Sequence, residues 1–191
     1  MSNYNLQFKP KYDKIVEILL YLAHKGGGFD HYQVVKLLYL ADKEHFSRHG
    51  RPITNEKYAA LPYGPVASHT LDLLRKHHSK AQLEKFGIKK LPFTLETVGD
   101  HICLGRPLRA VNYDLFSKSD LKVVDEVVEK YGHYSFKQLY DLTHAHFAYS
   151  NAWNGRKKGS KSAPISYADM LEESHFKRDY ISEIAPIVEY M

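Results

Sequence analysis

Residues 58–66, Tyr58-Ala59-Ala60-Leu61-Pro62-Tyr63-Gly64-Pro65-Val66, place two prolines and a glycine within four positions. Lys57 to Leu61 reads as a short strand or extended piece. Leu61 and Gly64 each precede a proline, and a proline ring pushes the residue before it out of the α region. Pro65 then suits the first position of a helix, where a missing N–H leaves nothing unsatisfied. That helix is expected to turn Val66, Thr70, Leu73 and Leu74 inward and to run to about His78.

Upstream, Tyr12 to His24 carries Ile15, Ile18, Leu19 and Leu22 at the i, i+3, i+4, i+7 spacing of an amphipathic helix, stopped by Gly26-Gly27-Gly28. Asp30 caps a second helix to about Arg48, stopped by Gly50. Its apolar arc of Val34, Leu37, Leu38 and Ala41, widened by Tyr39, Leu40 and Phe46, predicts burial on most sides. Downstream, Phe93 to Val98 and His101 to Arg106 read as strands joined by Gly99-Asp100, a pair suited to a tight hairpin turn. Tyr58 to Leu61 is the candidate third strand of that sheet. Ser117 and Asp120 have capping-box spacing for a helix ended by Gly132, and Ser135 caps another through about His144. Ala148 to Ala163 reads as loop. Ser166 and Asp169 repeat the capping-box spacing, and Asp179 to Glu189 reads as a last helix interrupted by Pro186. The expected fold is mainly α (α+β): one domain over residues 1–191, with about six to seven helices and a small antiparallel sheet or hairpin.

Composition narrows the function. The 191 residues hold 27 basic and 22 acidic side chains, a net charge of +5 that permits an acidic partner without demanding one. Fifteen Tyr, nine Phe and one Trp are a heavy aromatic load, suited to interfaces and core edges. A single cysteine excludes an internal disulfide and any multi-cysteine zinc site. Met1 to Lys11 lacks a signal peptide's apolar core, and Ile15 to Ala23, interrupted by Glu17, is far too short to span a membrane. A cytoplasmic protein is expected.

No enzyme is indicated. His45 and His49 are four apart on one helix, but Phe46 stands where a zincin has its general-base glutamate. A solvated helix end is the simpler reading, and neither a metal nor another cofactor is expected. Cys103 lies in an expected strand and reads as a small buried hydrophobe. No nucleophile elbow or phosphate-binding glycine loop is present. Arg156, Lys157, Lys158 and Lys161 put four cations in six residues, a loop that is either solubilising or attractive to phosphate or an acidic protein face. No helix shows the stripe of Arg, Asn and Gln that reads a DNA groove, so nucleic acid is not the expected partner. A regulator using the hairpin and the basic loop on DNA remains the alternative.

Three blocks together resemble one family. They are Lys36-Leu37-Leu38-Tyr39-Leu40-Ala41-Asp42 with Gly50-Arg51-Pro52-Ile53-Thr54; Tyr58 through Val66; and Leu121 to Gly132 leading to Leu142-Thr143-His144 and Trp153. In this order they are similar to the Panacea domain, the SocA-like, phage-associated antitoxin domain, over about residues 12–175. The family usually places a Pro-Trp soon after its Thr-His; here Ala152 precedes Trp153 and the interval is longer. The resemblance implies a non-enzymatic antitoxin of a toxin–antitoxin pair that binds and neutralises a cognate protein toxin. One member works instead as a proteolytic adaptor to a Clp-type protease. It also implies partner-binding roles around Tyr63, Gly64, Pro65, His144 and Trp153. By residue type, Gly64 and Pro65 read as structural and Tyr63 as an exposed anchor. Trp153 either pins its loop to the core or presents a contact. An aromatic-rich surface suits a homodimer as well as a complex.

Overall fold

Asp30 opens the central helix, α2 (His31–His49): its carboxylate accepts from the Gln33 N–H at 2.7 Å while the Gln33 side chain accepts from the Asp30 N–H at 3.1 Å. Gly50, at φ 73°, ends it in the left-handed conformation that suits glycine. The computed structural model describes residues 6, 8–26, 28–75 and 77–171. α1 (Tyr12–His24) lies ahead of α2. β1 (Tyr58–Leu61), β2 (Gly64–Ala67), α3 (Ser68–Leu73), α4 (Lys80–Lys85), β3 (Phe93–Val98) and β4 (His101–Pro107) follow, then α5 (Lys118–Tyr131), α6 (Phe136–His144), α7 (Phe147–Asn154), β5 (Ala163–Pro164) and α8 (Tyr167–Met170). The protein is mainly helical with two small antiparallel sheets. α2 touches α3, α5, α6, α8, β2 and β4, and its Val34, Val35, Leu37, Leu38 and Leu40 are buried. Each such side chain stabilises the fold by roughly 1.5–3 kcal/mol relative to exposure.

The caps at Ser117 and Ser135 and the β3–β4 hairpin fall where the periodicity puts them. Five expectations are corrected. Pro65 does not start a helix: it lies in β2 opposite Ala60, and Pro62-Tyr63 forms the two-residue turn of a β1–β2 hairpin. The bias against the α region before each proline serves a strand equally well. α3 starts at Ser68, where the buried Glu56 carboxylate accepts from the His69 and Thr70 N–H groups, and it ends at Leu73 rather than His78. β1 does not join the β3–β4 hairpin but centres a separate sheet of order β2-β1-β5. Residues 148–163 are not loop throughout, since they hold most of α7 and the first residue of β5. Ser166 accepts from the Ala168 N–H rather than boxing with Asp169. The helix expected over 179–189 lies outside the described residues.

Both outer strands of the β2-β1-β5 sheet carry a proline, Pro65 and Pro164. Buried carboxylates brace the frame. Asp42 accepts from the Ile53 and Thr54 N–H groups, the Thr54 hydroxyl and the Tyr58 hydroxyl, fixing the segment that leads into β1. Burial pushes its carboxyl up despite those four donors. Asp120, on α5, is fully buried among Lys14 at 2.7 Å, Arg51 at 2.8 Å and His45 at 3.1 Å. Among the described residues, no helix is long and apolar enough to cross a membrane.

Candidate functional site

The β1–β2 turn is held from behind by side chains of three helices, each set against a different carbonyl. The Tyr149 hydroxyl on α7 donates to Leu61 O at 2.9 Å. His144 on α6 faces Pro62 O through Nε2 at 3.3 Å and Tyr140 O through Nδ1 at 2.8 Å. The Tyr32 hydroxyl on α2 donates to Tyr63 O at 3.3 Å, and Lys36 Nζ donates to Pro65 O at 2.7 Å. Burial pushes the Tyr32 phenol up, and pushes Tyr149 up to about 12, so both stay protonated donors near neutrality.

Gly64 makes this clamp possible. Its φ is +99°, and a Cβ there would lie 2.6 Å from Lys36 Nζ, 3.0 Å from Thr143 Oγ1 and 3.2 Å from His144 Cε1. Only a residue without a side chain lets the turn approach that closely. Tyr63 projects from the outer side at 64% exposure, its ring 6.0 Å from that of Phe136, which is 52% exposed.

From Phe136 a series of ring contacts runs along α6 and α7. Phe136 meets Tyr32 at 4.4 Å and Tyr140 at 6.1 Å; Tyr140 stacks on His144 at 3.6 Å. His144 touches Tyr149, which lies parallel to Trp153 at 6.2 Å, and the Arg156 guanidinium sits 3.8 Å over the Trp153 ring. Arg156 also donates to Trp153 O and Ser160 O. Trp153, in the last turn of α7, is therefore half-buried between Tyr149 and Arg156. Lys157 and Lys158 are exposed beyond it.

Tyr63, Gly64, Pro65 and His144 thus meet at one turn, with Trp153 and Arg156 joined to it through Tyr149. Tyr32, Lys36, Phe136, Tyr140 and Tyr149 belong to the same constellation, and sequence reading did not single out any of them. One signal was present: Lys36 is a charged residue inside the apolar arc of α2, and it is 0% exposed. Burial lowers its amine to about 7.

That shift has a signed consequence. In the unfolded chain the Lys36 amine keeps its proton to the ordinary value of 10.5; in the fold it releases it near 7. Between these values the unfolded state binds more protons, so stability rises with pH above 7 and is flat on this account below it. Denaturant midpoints should be higher at pH 9 than at pH 7. Lys36→Met should lose that gain, and equal slopes in the two proteins would refute the assignment.

His45, expected with His49 at a solvated helix end, lies instead inside the core. Both His45 nitrogens are engaged, Nδ1 with Arg51 O at 2.7 Å and Nε2 with Asp120 and Ser119 at 3.1 Å, and the residue is fully buried. Among the described residues no three His, Cys, Asp or Glu side chains gather as a ligand set. Cys103 is buried in β4, and that burial pushes its thiol up.

The family model of the SocA-like antitoxin, Panacea domain, matches residues 34–150. The chain belongs to this family. Comparison with the curated proteins and with the solved structures returns no match. The Panacea match opens two residues before Lys36 and takes in the β1–β2 turn, Phe136, His144 and Tyr149. Tyr32 lies just before its start, and Trp153 and Arg156 beyond its end, so the matched core contains most of the clamp but not the basic loop. Membership of an antitoxin family fits a non-catalytic regulator.

Proposed function

We propose that this protein is the antitoxin of a toxin–antitoxin pair and neutralises a cognate protein toxin in the cytoplasm by direct contact, without catalysis or cofactor. The observation that carries the reading is the Tyr63 turn, with its carbonyls held from three helices and its aromatic side chain displayed to solvent. A preformed anchor spends little ordering entropy on binding, and tyrosine is among the residues that dominate interface energetics. In the adaptor variant of this mechanism, the bound toxin is handed to a Clp-type protease, and toxin levels fall only when that protease is present. Action on DNA has little support. The β3–β4 hairpin, which would serve as the wing, carries Glu96 in its strand and Asp100 at its tip where phosphates would have to approach.

Co-expression with the protein encoded beside this one tests the reading. The neighbour alone is expected to arrest growth, and this chain to restore growth and co-purify with it. Tyr63→Ala should weaken capture ten-fold or more while leaving the melting temperature essentially unchanged, since the side chain is largely exposed. A harmless neighbour that does not co-purify would refute neutralisation of that protein.

A further inference from the structure

Charge is distributed unevenly along this chain. Residues 133–163, which carry α6, α7 and the loop after them, hold five basic side chains (Lys137, Arg156, Lys157, Lys158 and Lys161) against one acidic, Asp141. That stretch therefore accounts for four of the five net positive charges of the whole protein. Asp141 is itself neutralised by Lys137 at 2.7 Å. The remaining cations gather at one end of the ring series, beyond Trp153, whereas Tyr63 and Phe136 stand exposed at the other.

The ring series, which passes through the buried Tyr149, links an apolar end to a cationic end, and the pair asks for a ligand with both characters. We infer that the surface from Tyr63 and Phe136 to Lys157 and Lys158 docks a protein segment that pairs an apolar anchor with a cluster of carboxylates. The anchor would seat against Tyr63 and Phe136, and the carboxylates would meet the loop cations. Single-stranded nucleic acid fits less well. A nucleic-acid groove keeps positive charge along the whole backbone path beside its stacking rings; among the described residues, the ring end has the buried Lys36 and the exposed Lys137, already paired with Asp141. Arg156 is held over Trp153 by its own hydrogen bonds to Trp153 O and Ser160 O, so the loop cations sit on a braced base. The inference rests on the antitoxin reading for its biological sense but not for its chemistry.

Selection of a random 12-residue displayed peptide library on the full chain tests it. A parallel selection uses Lys157→Glu/Lys158→Glu, two exposed positions whose exchange leaves the core untouched. Peptides enriched on the natural chain should combine Leu, Ile, Phe or Trp with Asp and Glu. A synthesised winner should bind at least ten-fold more weakly to the double variant and to Phe136→Ala, and should lose affinity as salt is raised. Neutral or basic winners, the same winners on both baits, no winner at all, or tighter binding of a 20-nucleotide oligo-dT would each overturn the proposal. The outcome is separable from co-expression: a harmless neighbour with acidic winners would sink the antitoxin reading for that partner alone. A neutralised toxin with basic winners would sink only the partner chemistry.

Discussion

Gly64→Ala is expected to lower the stability of this protein by about 3 kcal/mol, a melting-point loss of roughly 6–12 °C for a chain of this length. Two independent penalties act at the position. The backbone sits at φ +99°, a region that L side chains rarely adopt, and the new methyl group would point into Lys36 Nζ, Thr143 Oγ1 and His144 Cε1. Lys36 is the end of a long side chain and can retreat. Thr143 cannot easily do so, because its hydroxyl donates to Leu139 O at 2.8 Å inside α6. If the lysine yields, Pro65 O loses its donor; if the turn yields, the bonds from His144 and Tyr32 lengthen. Binding should therefore fall with stability, in contrast to Tyr63→Ala, which should separate the two. Thermal melts of both variants beside a capture assay check the contrast. A Gly64→Ala protein that melts within a degree of the parent would show that the turn is not clamped as described.

Asp120→Ala should be at least as damaging, at roughly 3–5 kcal/mol, because it leaves the buried Lys14 ammonium without its counter-charge and takes a partner from Arg51 and His45. Lys14 and His45 are both buried, and Arg51 is only partly exposed. The carboxylate also accepts from the Ser117 N–H at 3.0 Å, so the cap of α5 loosens at the same time. Burial by itself pushes the Asp120 carboxyl up. Hydrogen bonds from His45, Lys14 and the Ser117 amide outweigh that and hold it far below the usual carboxylate range. With the folded value depressed, its stabilisation is present above the unfolded value of about 3.8 and drains away as pH falls below it. Denaturation midpoints between pH 2 and 6 should show this acid dependence in the natural chain and a shallower one in Asp120→Ala. Parallel curves would remove Asp120 as the responsible group.

Much of the helical frame was legible because local chemistry marks its ends. Asp30, Ser117 and Ser135 announce their helices with a side chain that accepts from the first turn, and Gly50 supplies the left-handed stop. The Gly99-Asp100 turn reads as easily. What escaped was decided at long range. α7, Phe-Ala-Tyr-Ser-Asn-Ala-Trp-Asn, has no strong periodic face and is helical because Ala148 and Tyr149 are buried where it packs against β1, β5 and α8. Pro65 suits a helix start or a strand equally well on local grounds. Its pairing with Ala60, and the glutamate cap that starts α3 three residues later, depend on tertiary contacts. The site divides the same way. Tyr63 and His144 were reachable through their family motif, but the meeting of Tyr63 with Phe136 spans 73 positions and leaves no local mark. Lys36 alone carried a visible signal, a charge placed where only apolar side chains belong.

The prolines of the three-stranded sheet carry a consequence for how this protein can change allegiance. Pro65 and Pro164 occupy the two outer strands, and the one carbonyl that Pro65 offers is already taken by Lys36. A proline has no N–H to lend to a neighbouring strand, so neither margin is a template for backbone pairing. The sheet resists aggregation with its own copies and is poorly suited to being lengthened by a stranger's chain. Affinity is then left to side chains such as those of Tyr63 and Phe136, which substitution can exchange without disturbing a backbone hydrogen bond. Selection can retune such a surface toward a new adversary while the scaffold beneath it stays the same.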